Sequence, residues 1–346
     1  ITKMKQFQED LLEYFSNDKN SENVVLFMKD QFQQNQIDEI KATLKLILEI
    51  VNNHLRTPCF FTKIENLLSN FKKEFQQIFS NYELFDFFKS SKLLLLFFIK
   101  ESLLTFDQTI VSIINENKYW KSNYIKFFLP ESRPFISEAL YNEIQEDIIK
   151  NDFQSFEENR IIGENEQHIC HLIRNDLIDD FIVFINERNF QLSTIIKQSV
   201  FETNLFLNQN NPSLIEYSAF YGSIQIFKYL HLNGIQLTPS LWIYAIHGKN
   251  PEILQFLEDN QVFPEDRSFD KCLNESVKCY SNDVANYIIN QSNRNDMIPL
   301  NFLYHNYYFF DMDNLENTLY YSCKYNYIHL VDLIVKEADI DINKCM

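Results

Sequence analysis

The chain of 346 residues has very little glycine and proline, with only four glycines and eight prolines. β-Sandwiches and barrels need many tight turns, which depend on these two residues. A β-rich fold is therefore not expected, and helices joined by polar Asn, Asp and Ser turns fit better. Hydrophobic residues make up 45% of the chain, including 33 Phe and 18 Tyr, which is enough to build a core.

Basic residues are also scarce. The chain has 31 Lys and Arg against 48 Asp and Glu, which gives a formal net charge of −17. An acidic surface repels phosphate backbones, and no cluster of basic residues is interleaved with aromatic ones. We therefore expect no nucleic-acid partner, and we interpret the charge mainly as a source of solubility.

Long apolar runs are missing. The longest spans residues 93–99 and is closed by Lys92 and Lys100, whereas a membrane span takes about 20 apolar residues. No membrane span is predicted, and the run reads as a helix buried on most sides. Six scattered cysteines and the lack of a signal-peptide pattern indicate a reduced, cytoplasmic protein, with the nucleus as an alternative.

Residues 1–160 are predicted to form an N-terminal array of helices. Apolar residues recur at helical spacing, as at Phe7, Leu11 and Phe15. Thr57-Pro58 predicts the start of a further helix, with threonine as the N-cap and proline at the first helical position. Two prolines four residues apart, Pro130 and Pro134, predict a break.

Residues 161–346 are predicted to form a repeat array of short paired helices. The stretch 211–233 aligns with 238–260 at an offset of 27 residues and matches it at seven positions. Self-similarity at a fixed short offset is the signature of such arrays. The clearest predicted units are 211–237, 238–264, 268–290 and 315–343, and a degenerate pair precedes them at His168–Ile185.

All four glycines lie in this region, and the three between residues 222 and 248 are predicted to be structural turns. Gly222 joins the two helices of one unit in a left-handed turn, and Gly234 closes the second helix. Gly248 is followed by a lysine, so the corresponding turn of the next unit is expected to shift by one residue. Asn211 and Thr238 are the predicted N-caps, each with a proline at the first helical position.

The second helix of each unit reads Gln225-Ile-Phe-Lys-Tyr-Leu230, Glu252-Ile-Leu-Gln-Phe-Leu257 and His329-Leu-Val-Asp-Leu-Ile334, and Asp341-Ile-Asn343 follows the last. These residues resemble the ankyrin repeat, in which a β-finger follows the second helix. The whole chain also resembles degenerate ankyrin proteins of protists, in which a helical region precedes the units. The resemblance implies an all-α solenoid of helix-turn-helix repeats. We expect the native protein to continue with further repeats.

Motifs for catalysis or metal binding are absent or incomplete. His168, Cys170 and His171 are the only compact cluster of metal-ligand types. Zinc needs a fuller ligand set, so a packed cysteine beside surface histidines is expected instead. The sequence before Gly248 does not match the phosphate-binding loop motif, because Ile243 occupies the position at which that motif requires a glycine. We therefore expect that the protein binds no metal or cofactor and is not an enzyme. A catalytic site assembled by folding from residues distant in sequence is the open alternative.

The resemblance implies a protein–protein interaction scaffold that binds another protein through the concave face of its array. The predicted partner-binding residues, at the ends of the first helices, are Phe220, Tyr221, His247, Lys278, Lys324 and Tyr325. Packing against the neighbouring unit is the open alternative for Phe220 and Tyr221. The alternative function is a structural or assembly component that oligomerises through its N-terminal helices.

Overall fold

The computed structural model describes residues 2–54, 59–116, 118–149, 152–265, 267, 269–292, 298–310 and 315–337. Throughout these ranges the regular secondary structure is helical and contains no β-strand, which confirms the predicted all-α class. No helix in these ranges is long and apolar enough to cross a membrane. The predicted helix start at Thr57-Pro58 lies outside the described residues.

The helices of the first half of the chain are α1 (Thr2–Asn17), α2 (Ser21–Gln34), α3 (Ile37–Asn53), α4 (Phe60–Leu68), α5 (Lys72–Ile78), α6 (Asn81–Phe88), α7 (Lys92–Lys100), α8 (Gln108–Glu116), α9 (Lys118–Phe127), α10 (Leu129–Ser132), α11 (Glu138–Ile144) and α12 (Phe153–Ile162). Short 3-10 segments at Ser69–Phe71 and Arg133–Phe135 and a π-helical segment at Gln145–Ile149 complete this half.

The helices of the second half are α13 (His168–Arg174), α14 (Ile178–Glu187), α15 (Leu205–Gln209), α16 (Leu214–Tyr221), α17 (Ile224–Leu232), α18 (Leu241–Gly248), α19 (Pro251–Asp259), α20 (Asp270–Lys278), α21 (Asn282–Ser292), α22 (Ile298–Leu303), α23 (Leu315–Lys324) and α24 (Ile328–Glu337). A 3-10 turn at Tyr307–Phe309 follows α22.

The chain forms two compact units that are not consecutive in sequence. Unit 1 contains residues 1–57, 172–194 and 212–346, and unit 2 contains residues 58–171 and 195–211. Unit 1 therefore joins α1–α3 to most of the predicted repeat region. The predicted division into residues 1–160 and 161–346 follows the order of the sequence and stays a prediction.

Unit 2 has a phenylalanine-rich core. The ring of Phe98 lies 4.8 Å from that of Phe88 and 5.0 Å from that of Phe75. The apolar run of α7 is buried on most sides, as predicted. At the predicted break, Pro130 is the second residue of the one-turn α10, and Pro134 is the second residue of the following 3-10 segment. Each proline lies in the first turn of its piece, where its missing N–H costs no helical hydrogen bond.

In unit 1 the helix pairs stack on one another. We call the helices that begin the successive pairs, together with α22, the first helices. Each packs against the next in the order α16, α18, α20, α22 and α23. Second helices also meet: the rings of Phe227 in α17 and Phe256 in α19 lie 5.8 Å apart. Tyr287 in α21 donates a 2.6 Å hydrogen bond to Glu258 in α19. Helix α22, which lies between the predicted units 268–290 and 315–343, therefore belongs to the stack.

A recurrent turn follows each first helix. One residue of every turn has a positive φ between 48° and 70°, and the six are Asp176, Gly222, Lys249, Tyr280, His305 and Asn326. The residue four positions earlier is at most 2% exposed in all six cases, and these are Leu172, Ser218, Ala245, Ser276, Asn301 and Ser322. Most of these are small, which lets consecutive first helices approach closely.

The left-handed residue after α18 is Lys249, with a φ of 49°, so the predicted one-residue shift is confirmed. Gly248 itself is the last residue of α18 rather than the turn residue. Gly222 and Gly234 have φ values of 70° and 92° and occupy the predicted turns. After α17, the Ile235 amide donates to the Leu230 carbonyl at 3.1 Å, which closes the helix end around Gly234.

The predicted N-caps Asn211 and Thr238 are wrong by two residues. Helix α16 begins after Ser213, whose hydroxyl accepts from the Glu216 amide while its own amide donates to the Glu216 carboxylate at 2.8 Å. Helix α18 begins after Ser240, whose hydroxyl donates to the same carboxylate at 2.7 Å. The serine–glutamate pair satisfies two orphan donors, which a proline at the first position cannot do.

Ser213→Ala is expected to lower the free energy of unfolding by about 1 kcal/mol, because the N3 amide of α16 loses its acceptor. Urea denaturation followed by circular dichroism measures the change. Ser193→Ala is the matched control, since Ser193 is exposed and lies outside any helix. Equal effects of the two substitutions would contradict a capping role for Ser213.

Candidate binding surface on unit 1

The six predicted binding residues occupy equivalent places in the stack. Phe220 and Tyr221 end α16, His247 is the penultimate residue of α18, Lys278 ends α20 and Lys324 ends α23. Tyr325 directly follows α23. The structure thus places all six at the ends of first helices, but it exposes them to very different degrees.

Phe220 and His247 are buried, each 1% exposed. Their rings stack with centroids 4.8 Å apart, because α16 and α18 are adjacent in the stack. The expected exposure of these two residues is therefore wrong. For Phe220 the alternative that was left open, packing against the neighbouring unit, is the arrangement in the structure.

His247 and Lys278 share one carboxylate. His247 Nε2 lies 2.9 Å from Glu275 Oε1, and Lys278 Nζ lies 3.1 Å from the same oxygen. Burial lowers the pKa of His247, although its bond to Glu275 acts in the opposite direction. Burial also opposes ionisation of Glu275, but the hydrogen bonds and charges of His247 and Lys278 outweigh it and lower the pKa of that carboxyl. Lys278 is thus ion-paired and only partly exposed.

An accessible aromatic and basic surface lies at the C-terminal end of α23, the final helix in the row of first helices. We call it the α23 patch, and it consists of Tyr320, Tyr321, Lys324 and Tyr325. Tyr320 is 50% exposed, and the exposed Lys324 ammonium lies 5.8 Å and 5.7 Å from the ring centroids of Tyr321 and Tyr325. Tyr221, at the other end of the row, is half-buried, with its ring 4.8 Å from that of Tyr217.

The N-terminal helices contact the middle of this row of turns, which the sequence did not indicate. Gln8 in α1 is buried; its Nε2 donates to Asn306 Oδ1 at 2.9 Å, and its Oε1 accepts from the Tyr307 amide at 2.7 Å. At the end of α3, His54 Nε2 lies 2.8 Å from Lys249 Nζ. Helix α3 also packs against α24. These residues are separated by nearly 200 to 300 positions, so local spacing carries no signal for the contact.

The histidine and cysteine cluster lies in unit 2. Cys170 is buried, whereas His168 and His171 are exposed with their rings stacked 6.4 Å apart, which is the expected packing. Among the described residues, no group of three or more His, Cys, Asp or Glu could hold a metal ion.

Neither a protein-family model, nor a curated protein, nor a solved structure matches the chain. Function is therefore inferred from the geometry of the chain itself.

Proposed function

We propose that the protein is an interaction scaffold that binds another protein through the ends of the first helices of an ankyrin-like array. Two features support the array. The first helices of unit 1 stack in order, each followed by a turn with one left-handed residue. The ankyrin-like stretches 225–230 and 252–257 also lie in second helices, α17 and α19.

The α23 patch is the observation that carries the proposal. Tyrosine is enriched at the centres of protein interfaces because it offers a large rigid surface with one polar group. A lysine held beside two tyrosine rings adds a positive charge to a chain whose net charge is −17. A protein is a better partner than a nucleic acid, because the overall charge repels phosphate.

The double variant Tyr320→Ala/Lys324→Ala is expected to capture at least about tenfold less partner than the wild type, since truncating interface anchors commonly costs more than 1 kcal/mol each. The measurement is quantitative capture from a lysate of the source organism, with the same bound protein identified in each sample. Leu232→Ala is the matched control, because Leu232 is 83% exposed but lies on a second helix, α17.

Equal capture by the wild type and the double variant, with unchanged melting temperatures, would exclude the α23 patch. The alternative function, self-assembly through the N-terminal helices, is tested by light scattering on the same samples. Its simplest form would use the apolar stripe of α1, yet Phe7, Leu11 and Phe15 are buried within the chain. That the protein is not an enzyme and needs no cofactor stays a prediction.

A further inference from the structure

Groups from three parts of unit 1 meet where α3 ends: the side chains of His54 and Lys249 and the backbone carbonyl of Tyr280. Lys249 Nζ lies 2.8 Å from His54 Nε2 and donates to the Tyr280 carbonyl at 3.1 Å. His54 is only 3% exposed, although it is the residue that ends α3. Lys249 is the left-handed residue of the turn after α18, and Tyr280 is its counterpart after α20. The three residues therefore fasten the end of α3 to two consecutive turns.

While Lys249 is charged, its contact with His54 requires a neutral imidazole. A lysine ammonium has three donors and no acceptor, so His54 Nε2 must accept the hydrogen bond. A protonated imidazole carries N–H donors on both ring nitrogens and cannot accept. Protonation of His54 would therefore remove the bond and bring two positive charges within 2.8 Å of each other at the buried imidazole.

Burial and neighbouring groups act on the charge of Lys249 in opposite directions. Burial lowers the pKa of Lys249, and the groups that favour its charged form are the buried Cys279 thiol and the exposed Asp283. Burial of Cys279 raises the pKa of that thiol to about 12, so it stays neutral. The partly buried carboxylate of Glu275 is already shared by His247 and Lys278.

The neighbouring His247 acts in the same direction. Its pKa is lowered in the folded state, mainly by burial, so below its ordinary value near 6.5 the unfolded chain binds a proton that the folded chain resists. Stability from this group is therefore present above pH 6.5 and is lost as the pH falls through the lower folded pKa. Burial raises the pKa of Tyr280 and Tyr327, and the charge of Glu49, on α3 itself, adds to this effect.

We propose that His54 and Lys249 form an acid-sensitive latch: protonation of His54 releases the end of α3 from the turns after α18 and α20. The latch is a property of unit 1 alone and does not depend on what the protein binds. At neutral pH the N-terminal helices hold these turns, and mild acid loosens them without unfolding unit 2.

Hydrogen exchange of the full-length protein tests the latch. The unfolded-chain exchange rate of each amide is divided by its measured rate at the same pH, and these protection factors are compared at about pH 7.5 and about pH 5. We expect the protection of the α3 amides to fall about tenfold more than that of the α7 amides in unit 2. Equal changes in α3 and α7 in the wild type would overturn the proposal.

His54→Gln separates the latch from general acid destabilisation, because glutamine can accept from Lys249 but does not titrate. This variant is expected to lose most of the extra fall in α3 protection. Lys249→Met provides a second variant, since without the ammonium a protonated His54 meets no like charge. His168→Gln, at an exposed histidine, is the control and is expected to behave as the wild type. An undiminished acid response in both His54→Gln and Lys249→Met would refute the latch.

Discussion

Gly248→Ala is expected to lower the free energy of unfolding by about 3 kcal/mol or more, the largest loss from a single added methyl group in unit 1. A Cβ at this position would lie 2.2 Å from the Ala219 carbonyl oxygen and 2.8 Å from the Gly222 amide nitrogen. Both are backbone atoms, so no side-chain rotation can relieve the overlap. Helices α16 and α18 would have to move apart and disturb the row of turns.

Gly234→Ala is the matched control for this prediction. Gly234 has a φ of 92°, and an added Cβ would meet nothing within 4 Å. Its substitution is therefore expected to cost only the backbone strain of a non-glycine residue in this region, about 1 kcal/mol. Urea denaturation of both variants, monitored by circular dichroism, gives the comparison. Equal losses would show that close approach is not the reason for glycine at 248.

The role of Gly248 illustrates how far the sequence predicts the fold. Helix positions follow from local spacing, and the predicted degenerate pair before residue 200 corresponds to α13 and α14. The left-handed turns are harder to predict, because five of the six are formed by residues other than glycine. Lys249 aligns with Gly222 at the 27-residue offset, and Gly248 precedes it by one position. Gly248 is predicted as a turn residue, but the need for glycine there arises from contact with another helix.

The candidate site shows a different limit. The six predicted residues lie at or directly after the ends of first helices. Their exposure depends on what covers each position: His247 lies against Phe220 and Glu275, whereas Lys324 stays accessible. The contact of Gln8 with Asn306 joins residues 298 positions apart. Single-sequence periodicity contains no information about such a pairing.

In the sequence, Lys92 is the polar residue that precedes the apolar run 93–99. In the structure its side chain is buried, with 5% exposure. Its ammonium donates to the Val200 carbonyl at 2.9 Å and lies 5.0 Å from the centre of the Phe127 ring. Burial lowers the pKa of Lys92 to about 7, although the charge of Glu202 acts in the opposite direction. Unit 2 therefore contains a lysine that resists protonation near neutral pH in the folded protein.

The second large effect follows from this lysine. An unfolded lysine titrates near 10.5, so between about pH 7 and that value the unfolded chain keeps a proton that the folded chain releases. Wild-type stability should therefore rise with pH in this window. Relative to Lys92→Met, which cannot titrate, the wild type is expected to gain about 3 kcal/mol between about pH 7 and about pH 10.

Denaturation of the wild type and Lys92→Met across this pH range isolates the contribution of one group, because the other titrating residues are common to both proteins. The methionine variant should be the more stable of the two near pH 7, where a buried charge is most costly, and should lose that advantage as the pH rises. Lys89→Met is the control: the Lys89 side chain is 38% exposed and paired with Asp86, so water already solvates its charge. A difference between wild type and Lys92→Met that stays constant with pH would mean that Lys92 keeps its proton in the folded protein.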